Sequence, residues 1–253
     1  MPDKRPFHMS TPPEIKEGEV TDVYFNRTVQ ILRARSNRAR VKAEVYLKSL
    51  PGDWQWGILA GNTGFFKMDN VEVPASNLVG QPGEGFKIAM FAIDQGRLSV
   101  AAGATGLIRA CRDASAKYAR ERRTFGVEIG EHQLVKEMIA QMESDYQAAR
   151  LLWLRSGWMK NEGRRNTRET GLAKWFATVA SERAASDAVQ VHGANGYSDE
   201  YPVGRFYRNC KGAVIYEGTR EIHKIMQADY LLGYRVDRPT RCELPAYAAK
   251  SEV

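Results

Sequence analysis

The run FKIAMFAIDQGRLSVAAGATGLIRACRDASAKYARER, Phe86 to Arg122, decides the fold. Its apolar and small residues recur at helical steps, through Ile88, Phe91, Ala92, Val100, Gly103, Leu107, Ala110 and Ala114. That spacing predicts one long helix with a buried stripe. A helix of this length spans on the order of 50 Å. Its middle, Ala101-Ala102-Gly103-Ala104, is built of small residues. A second helix can therefore approach it closely. Gly126 and Gly130 mark the break that follows.

Downstream the same period continues. A second helix is expected from about His132 to Lys160, with Leu134, Met138, Met142, Ala149, Leu152 and Trp153 on one face and Gly163 at its end. Asn166-Thr167-Arg168-Glu169 reads as a capping box, an Asn cap with Glu three residues on. It opens a third helix to about His192, bearing Leu172, Trp175, Phe176, Val179, Ala180, Ala184 and Val189 and stopped by Gly193 and Gly196. A fourth helical region starts near Tyr201, breaks around Gly212 to Gly218, and resumes to about Tyr230. Long helices with short connections predict an antiparallel four-helix bundle over residues 81–235.

Upstream the character changes. Val20 to Val29 and Val41 to Leu47 alternate loosely, and Phe65-Phe66-Lys67-Met68 and Val71-Glu72-Val73 flank a turn at Asp69-Asn70. Pro74 and the glycines from Gly80 to Gly85 close this region. Residues 1–80 are thus expected to be a divergent or truncated β-rich region, and residues 236–253 a loose tail. The fold class is mainly α, a bundle preceded by a partial β-region.

Composition narrows the function. The chain has 253 residues, 43% hydrophobic and 26% charged, as in a globular protein with a real core. No apolar run reaches the roughly 18 residues of a membrane span. Met1-Pro2-Asp3-Lys4-Arg5 lacks the apolar core of a signal peptide. Cys111, Cys210 and Cys242 are scattered and fit a reducing compartment. A cytoplasmic location is expected, or the mitochondrial matrix in a eukaryote. The net charge of +7 comes almost wholly from Arg27, Arg33, Arg35, Arg38, Arg40, Lys42 and Lys48, opposed by Glu44 alone. With no aromatic stacking pattern beside them, a solvated basic face outranks nucleic-acid binding. No histidines are paired as metal ligands.

Ile215-Tyr216-Glu217-Gly218-Thr219 carries the chemistry. Its carboxylate follows Ala213, Val214, Ile215 and Tyr216. A carboxylate that loses solvation in a mostly apolar setting becomes a usable base near neutral pH. By itself the stretch is also an ordinary loop-to-helix junction.

Several further pieces stand in order around it: Gly83-Glu84-Gly85-Phe86, Asp94 with Arg97, Glu121-Arg122-Arg123-Thr124-Phe125-Gly126, Glu131-His132-Gln133, Gly163 to Thr167, Gln190 to Tyr197, and Glu200-Tyr201-Pro202. Together they resemble the C-terminal part of the acyl-CoA dehydrogenase family, from about Trp56 to Tyr234. The resemblance implies the bundle of that family and its chemistry. An acyl-CoA thioester loses its α-proton to a glutamate, the β-hydride passes to FAD, and a 2-enoyl-CoA results. Glu217 stands where the family carries the base. Gly218 lets the thioester approach the backbone, beside Tyr216, and Asp94 and Arg97 match substrate-side positions.

The same resemblance puts the phosphates and ribose of FAD from a neighbouring subunit at Arg122, Arg123 and Thr124, with Phe125, His132 and Gln133 in the same contact region. Gln190, Gly193, Ala194 and Gly196 match the loop around the ADP half, and Thr219 and Glu221 match contacts after the base. It further implies an electron-transfer flavoprotein as electron acceptor, a homotetramer or at least a dimer, and no metal.

Some features depart from the family. Residues 1 to about 50 match none of its strands, and a truncated form of the enzyme is one expectation. Ala194 replaces a glycine and would cost about 1 kcal/mol if the backbone there needs positive φ. FAD binding is expected to be weak or dependent on a partner. Arg220 is either a substrate-side cation for a second carboxylate or a solvated residue at a helix start. The alternative function is a non-catalytic bundle subunit that assembles with a full-length relative.

Overall fold

The computed structural model describes residues 56–58 and 75–237. The strand-like runs before Pro74, the arginine-rich segment and the tail beyond Asp237 lie outside the described residues. The chain divides into two units, Met1–Val79 and Gly80–Val253. In the first, Ala75–Asn77 forms one 3-10 turn.

The second unit is a helical bundle. Its elements are α1 (Gly85–Glu121), a hairpin of β1 (Arg123–Thr124) and β2 (Val127–Glu128), α2 (Gln133–Asn161), α3 (Thr167–His192), α4 (Val203–Ala213) and α5 (Arg220–Leu231). Three long helices carry the bundle, and α4 with α5 complete it as a broken fourth arm. The break falls between Val214 and Thr219, inside the glycine-bounded interval expected from the sequence.

The α3 helix is central and packs against each of the other four helices. Its buried face is an alanine spine of Ala173, Ala177, Ala180, Ala184, Ala185 and Ala188. Ala101, Ala104, Ile108 and Cys111 of α1 and Met142 and Ala149 of α2 join it in one core. The buried face of α1 is therefore turned by about one residue from the expected stripe, whereas α3 buries the expected Ala180 and Ala184 but not the large residues of its stripe. Val100, Gly103 and Ala110 give way to Ala101, Ala104 and Cys111, while Ile88, Phe91 and Ala92 are exposed. On α3 the large Trp175, Phe176 and Val179 flank the core instead of filling it. Close helix approach selects small side chains for the contact line and pushes large ones to its margins. The small stretch of α1 is thereby used within the chain, against α3.

The capping box at Asn166 is not formed. Asn166 does precede α3, but its side chain accepts no N–H from the helix start, and its amide donates to the Ser156 carbonyl at 2.9 Å instead. Ser156 and Thr170 share a buried hydroxyl contact of 2.6 Å beneath it. The residue therefore ties α2 to α3, a tertiary use of a capping signature. Cys111 and Cys210 lie in the core as free thiols, each pushed up to about 12 by burial, which leaves them unreactive. No helix among the described residues is long and apolar enough to cross a membrane.

Candidate functional site

The connection from α4 to α5 is short and sharply turned. Thr219 is the N-cap of α5, its hydroxyl accepting from the Ile222 N–H at 3.4 Å. Just before it, Glu217 has φ of 56° and Gly218 has φ of 93°. A left-handed backbone suits glycine but costs a glutamate about 1–2 kcal/mol. It persists only where surrounding contacts over-determine it.

Those contacts come from two helices. Arg97 of α1 donates from Nε to the Glu217 carbonyl at 3.0 Å. Lys174 of α3, fully buried, donates from Nζ to the Gly218 carbonyl at 2.7 Å. Arg97 is itself held by Asp94 at 2.7 Å, and Asp94 accepts a second bond from the Thr167 hydroxyl at 3.1 Å. Gly218 is required here twice over, by its φ and by space: a Cβ would come within 3.2 Å of Arg97 Nη2.

The Glu217 side chain turns back onto α1. A Cβ at Gly96 would lie 2.9 Å from its Cδ and from both carboxylate oxygens. Oε2 is buried and has no hydrogen-bond partner among the described residues. The carboxylate is thus fixed in place by packing while one oxygen is left free to take a proton. Its setting differs from the apolar one expected. Val214 is buried, but Ile215 and Tyr216 are exposed, and the groups below the loop are Arg97, Lys174 and the fully buried His223.

These groups perturb one another. Lys174 is pushed down to about 8, first by burial and then by Arg97, with Glu217 acting in the opposite direction. His223 falls to about 4 through burial, then Arg97 and Lys174. The Glu217 and Gly218 backbone groups offset this only slightly, and neither ring nitrogen reaches hydrogen-bond geometry with them. His223 is therefore neutral at pH 7. The Tyr216 hydroxyl is raised by burial and by the neighbouring Glu217 charge.

A second group of sequence-derived positions gathers at the far end of α1. The hairpin turns on Phe125 (φ 52°) and Gly126 (φ 83°), with Thr124 opposite Val127. Two positive φ values in a two-residue loop define a type I′ turn. The Thr124 hydroxyl meets His132 Nε2 at 3.1 Å, and Phe125, 97% exposed, stands edge-on to the His132 ring. Arg122 and Gln133 are exposed, whereas Arg123 reaches back to the Gly126 carbonyl at 2.9 Å.

The end of α3 joins this group through Tyr118. The Tyr118 ring stacks on His192 with centroids 4.3 Å apart, and its hydroxyl accepts from Asn195 at 2.9 Å. Gln190, Gly193 and Ala194 are exposed there, and Gly196 is buried in the 3-10 turn Gly193–Tyr197. Ala194 does not have positive φ, so the expected backbone cost does not arise.

The two groups are not brought together within the chain. Arg122 caps the C-terminal end of α1, 25 residues on from Arg97, roughly 38 Å along the helix at 1.5 Å per residue. Thr219 and Glu221 lie with the first group, where Thr219 caps α5 and Glu221 pairs with Arg220 at 2.6 Å. Arg220 also faces Glu182 at 3.8 Å, so its charge is engaged on the surface and not directed at the carboxylate loop.

Gly96, Lys174 and His223 were not selected from the sequence, and Thr167 stood there only within the Gly163 to Thr167 run. Gly96 left a signal, because a glycine inside a helix costs about 1 kcal/mol and asks for a packing reason. Lys174 left another, as a lone charge within Leu172-Ala173-Lys174-Trp175-Phe176-Ala177.

Residues 83–232 match the family model for the acyl-CoA dehydrogenase C-terminal domain. The chain is 44% identical over 180 residues to the glutaryl-CoA dehydrogenase of Desulfococcus multivorans, covering 71% of this chain and 46% of that protein. An acyl-CoA dehydrogenase of Bacillus subtilis is 36% identical over 225 residues, 87% of this chain and 59% of its own length. Residues 56–253 alone cannot supply that share, so the likeness reaches into the first 55 residues, where none was expected. The solved butyryl-CoA dehydrogenase of Megasphaera elsdenii superposes with a TM-score of 0.69 at 37% identity, over 70% of this chain and 46% of that one. The chain thus spans about half the length of the relatives it matches.

Proposed function

The chain belongs to the acyl-CoA dehydrogenase family, and on that premise we propose that Glu217 is the base for α,β-dehydrogenation of an acyl-CoA thioester to a 2-enoyl-CoA. The observation that carries this reading is the carboxylate itself, seated on Gly96 with a buried, unbonded oxygen. Glu217 takes the α-proton. The β-hydride leaves at the same time, so the pair of electrons from the α C–H bond closes the new double bond. FAD, when bound, supplies the acceptor for that hydride. Tyr216 and Gly218 border the approach of the thioester. Asp94 and Arg97 act from beneath, by holding the loop.

The far end of α1 suits the other half of the cofactor. Exposed Arg122, the Gln190 amide and the turn at Gly193–Ala194 form a donor set for an anionic dinucleotide half. Thr124, Phe125, His132 and Gln133 border it. Because Arg122 stands roughly 38 Å along α1 from Arg97, which holds the Glu217 loop, we assign this set to the cofactor of a second subunit. Assembly as a dimer or tetramer follows. Electron-transfer flavoprotein is the proposed acceptor. Arg220, engaged by Glu182 and Glu221, gives no support to a substrate with a second carboxylate.

The test is Glu217→Gln, which keeps shape and removes basicity. A general base contributes roughly 10²–10⁴-fold, so reduction of bound flavin by an acyl-CoA should slow by about that factor while ligand binding survives. A variant that bleaches flavin as fast as the parent would sink the assignment. One observation favours a second reading, a bundle subunit working with a full-length relative: the chain spans about half the length of its relatives. A purified chain that is colourless and monomeric would favour that reading.

A further inference from the structure

Two consecutive carbonyls in the carboxylate loop, those of Glu217 and Gly218, each receive a cationic donor from a different helix. The two donors differ in their own support. Arg97 has Asp94 as a counter-charge, and Asp94 is braced by Thr167. Lys174 is fully buried, and its one hydrogen bond among the described residues is to the Gly218 carbonyl. Burying an ammonium is costly unless its position does something that an apolar residue could not. The apolar neighbours Ala173 and Ala177 show that this face of α3 otherwise excludes charge.

The left-handed Glu217 needs the donor. A peptide plane is rigid and trans, so fixing the direction of a carbonyl fixes the plane on both sides of it. Arg97 fixes the plane between Glu217 and Gly218, and Lys174 fixes the one between Gly218 and Thr219. With both set, the φ and ψ of Gly218 are set, and the chain must leave Glu217 facing Gly96. With Arg97 alone, Gly218 is free to rotate, and a residue that prefers right-handed backbone by about 1–2 kcal/mol can relax.

We propose that Lys174 is a positioning residue for the base: its donation to the Gly218 carbonyl locks the strained turn that presents Glu217 over Gly96. The catalytic part of this statement rests on Glu217 being the base, whereas the lock is a property of the chain itself. The charged and titratable groups facing Lys174 are Arg97 from α1, Glu217 from the loop, and His223 from α5. His223 is already neutral at pH 7, pushed down to about 4. Lys174, pushed down to about 8, is the group whose charge changes between pH 7 and 9. A neutral amine still donates, but a charge-assisted bond is about twice as strong. The lock should therefore loosen above pH 8.

Gly218-Thr219 is the one Gly-Thr step in the sequence. Labelling glycine with carbonyl ¹³C and threonine with ¹⁵N gives one correlated NMR signal, and it reads this carbonyl directly. In the parent chain, that signal should shift with an apparent pKa near 8. In Lys174→Met it should start displaced and stay fixed with pH. Amide exchange at Arg220, whose N–H closes the turn onto the Val214 carbonyl at 3.2 Å, should accelerate at least about tenfold at pH 7, the effect of losing 1.4 kcal/mol of local closing energy, while α3 and the rest of α5 keep their protection.

A Gly218 carbonyl that does not titrate in the parent overturns the proposal. So does an unchanged loop in Lys174→Met, or protection lost equally along α3 and α5, which would make Lys174 a packing residue. Should Lys174→Met not fold, the parent titration decides. Where flavin reduction can be followed, the variant should slow it on the order of 10²-fold, as for a misplaced reacting group, with the Kd for acyl-CoA little changed. If the lock is found but Glu217→Gln leaves reduction intact, the functional reading falls and the lock stands.

Discussion

Gly96 separates stability from function at a single atom. It lies inside α1, where alanine is the better helix former by about 1 kcal/mol. The three atoms nearest its missing Cβ all belong to the Glu217 carboxylate, the far end of a flexible side chain. Gly96→Ala should therefore unfold at the same temperature as the parent or slightly above it, and yet displace the base. Thermal unfolding and anaerobic flavin reduction, measured on one preparation, check this. A variant that is less stable by more than about 1 kcal/mol, or one that reduces flavin normally, contradicts it. At this scale the sequence was partly legible. Glu217, Gly218, Asp94 and Arg97 stand in a recognisable order, and Gly96 could have been found from the cost of a helical glycine. The partner of Lys174 could not. It is a backbone carbonyl 44 residues away, and a carbonyl leaves no mark in a sequence.

Elements were legible in number and extent, less so in orientation. The ends of α1, α2 and α3 fall within a residue or so of the periodic runs, since glycines and the change of period mark them. The buried face of α1 was turned by a residue, and that of α3 ran along its alanines and not its large residues, because alanine occurs on several sides of both and hydrophobicity alone cannot rank such faces. The hairpin after α1 was missed for a different reason. Its turn is Phe125-Gly126, whereas the type I′ signal is Asn-Gly or Asp-Gly. A phenylalanine held at φ of 52° and 97% exposed is unfavourable on both counts. Local rules broken in this way tend to mark functional positions, and Phe125 borders the proposed cofactor surface. Phe125→Asn should therefore stabilise the chain by about 1 kcal/mol, as asparagine tolerates the left-handed region. It should also weaken flavin binding in the assembled protein. Urea unfolding read against flavin titration tests the pair of effects, and a loss of stability would mean that the edge contact with His132 outweighs the backbone strain.

Across the whole molecule, charge buried at the centre of the bundle makes stability depend on pH in a way that helices and alanines alone would not. His223 is fully buried, and its folded pKa of about 4 lies below the ordinary 6.5. Between those two values the unfolded chain binds the proton and the folded chain refuses it. Stability from this group is thus fully present above pH 6.5 and is lost as pH falls from 6.5 towards 4, by on the order of 3 kcal/mol across the window. Carboxylates also weaken the protein in acid. Glu143, held below its ordinary value by Gln147 and Arg112, does so at lower pH. Those contributions are shared by a variant that lacks the imidazole, so the difference between the two proteins isolates it. His223→Gln is neutral at every pH and of similar size. Its stability in urea should fall less than that of the parent between pH 7 and pH 5, even if it begins lower because of repacking against Gly171 and Gly218. Parallel losses in the two proteins would mean that the ring takes up its proton without cost, by swinging out from between α3 and the carboxylate loop. In that case the turn at Glu217 would be the element that yields first in acid.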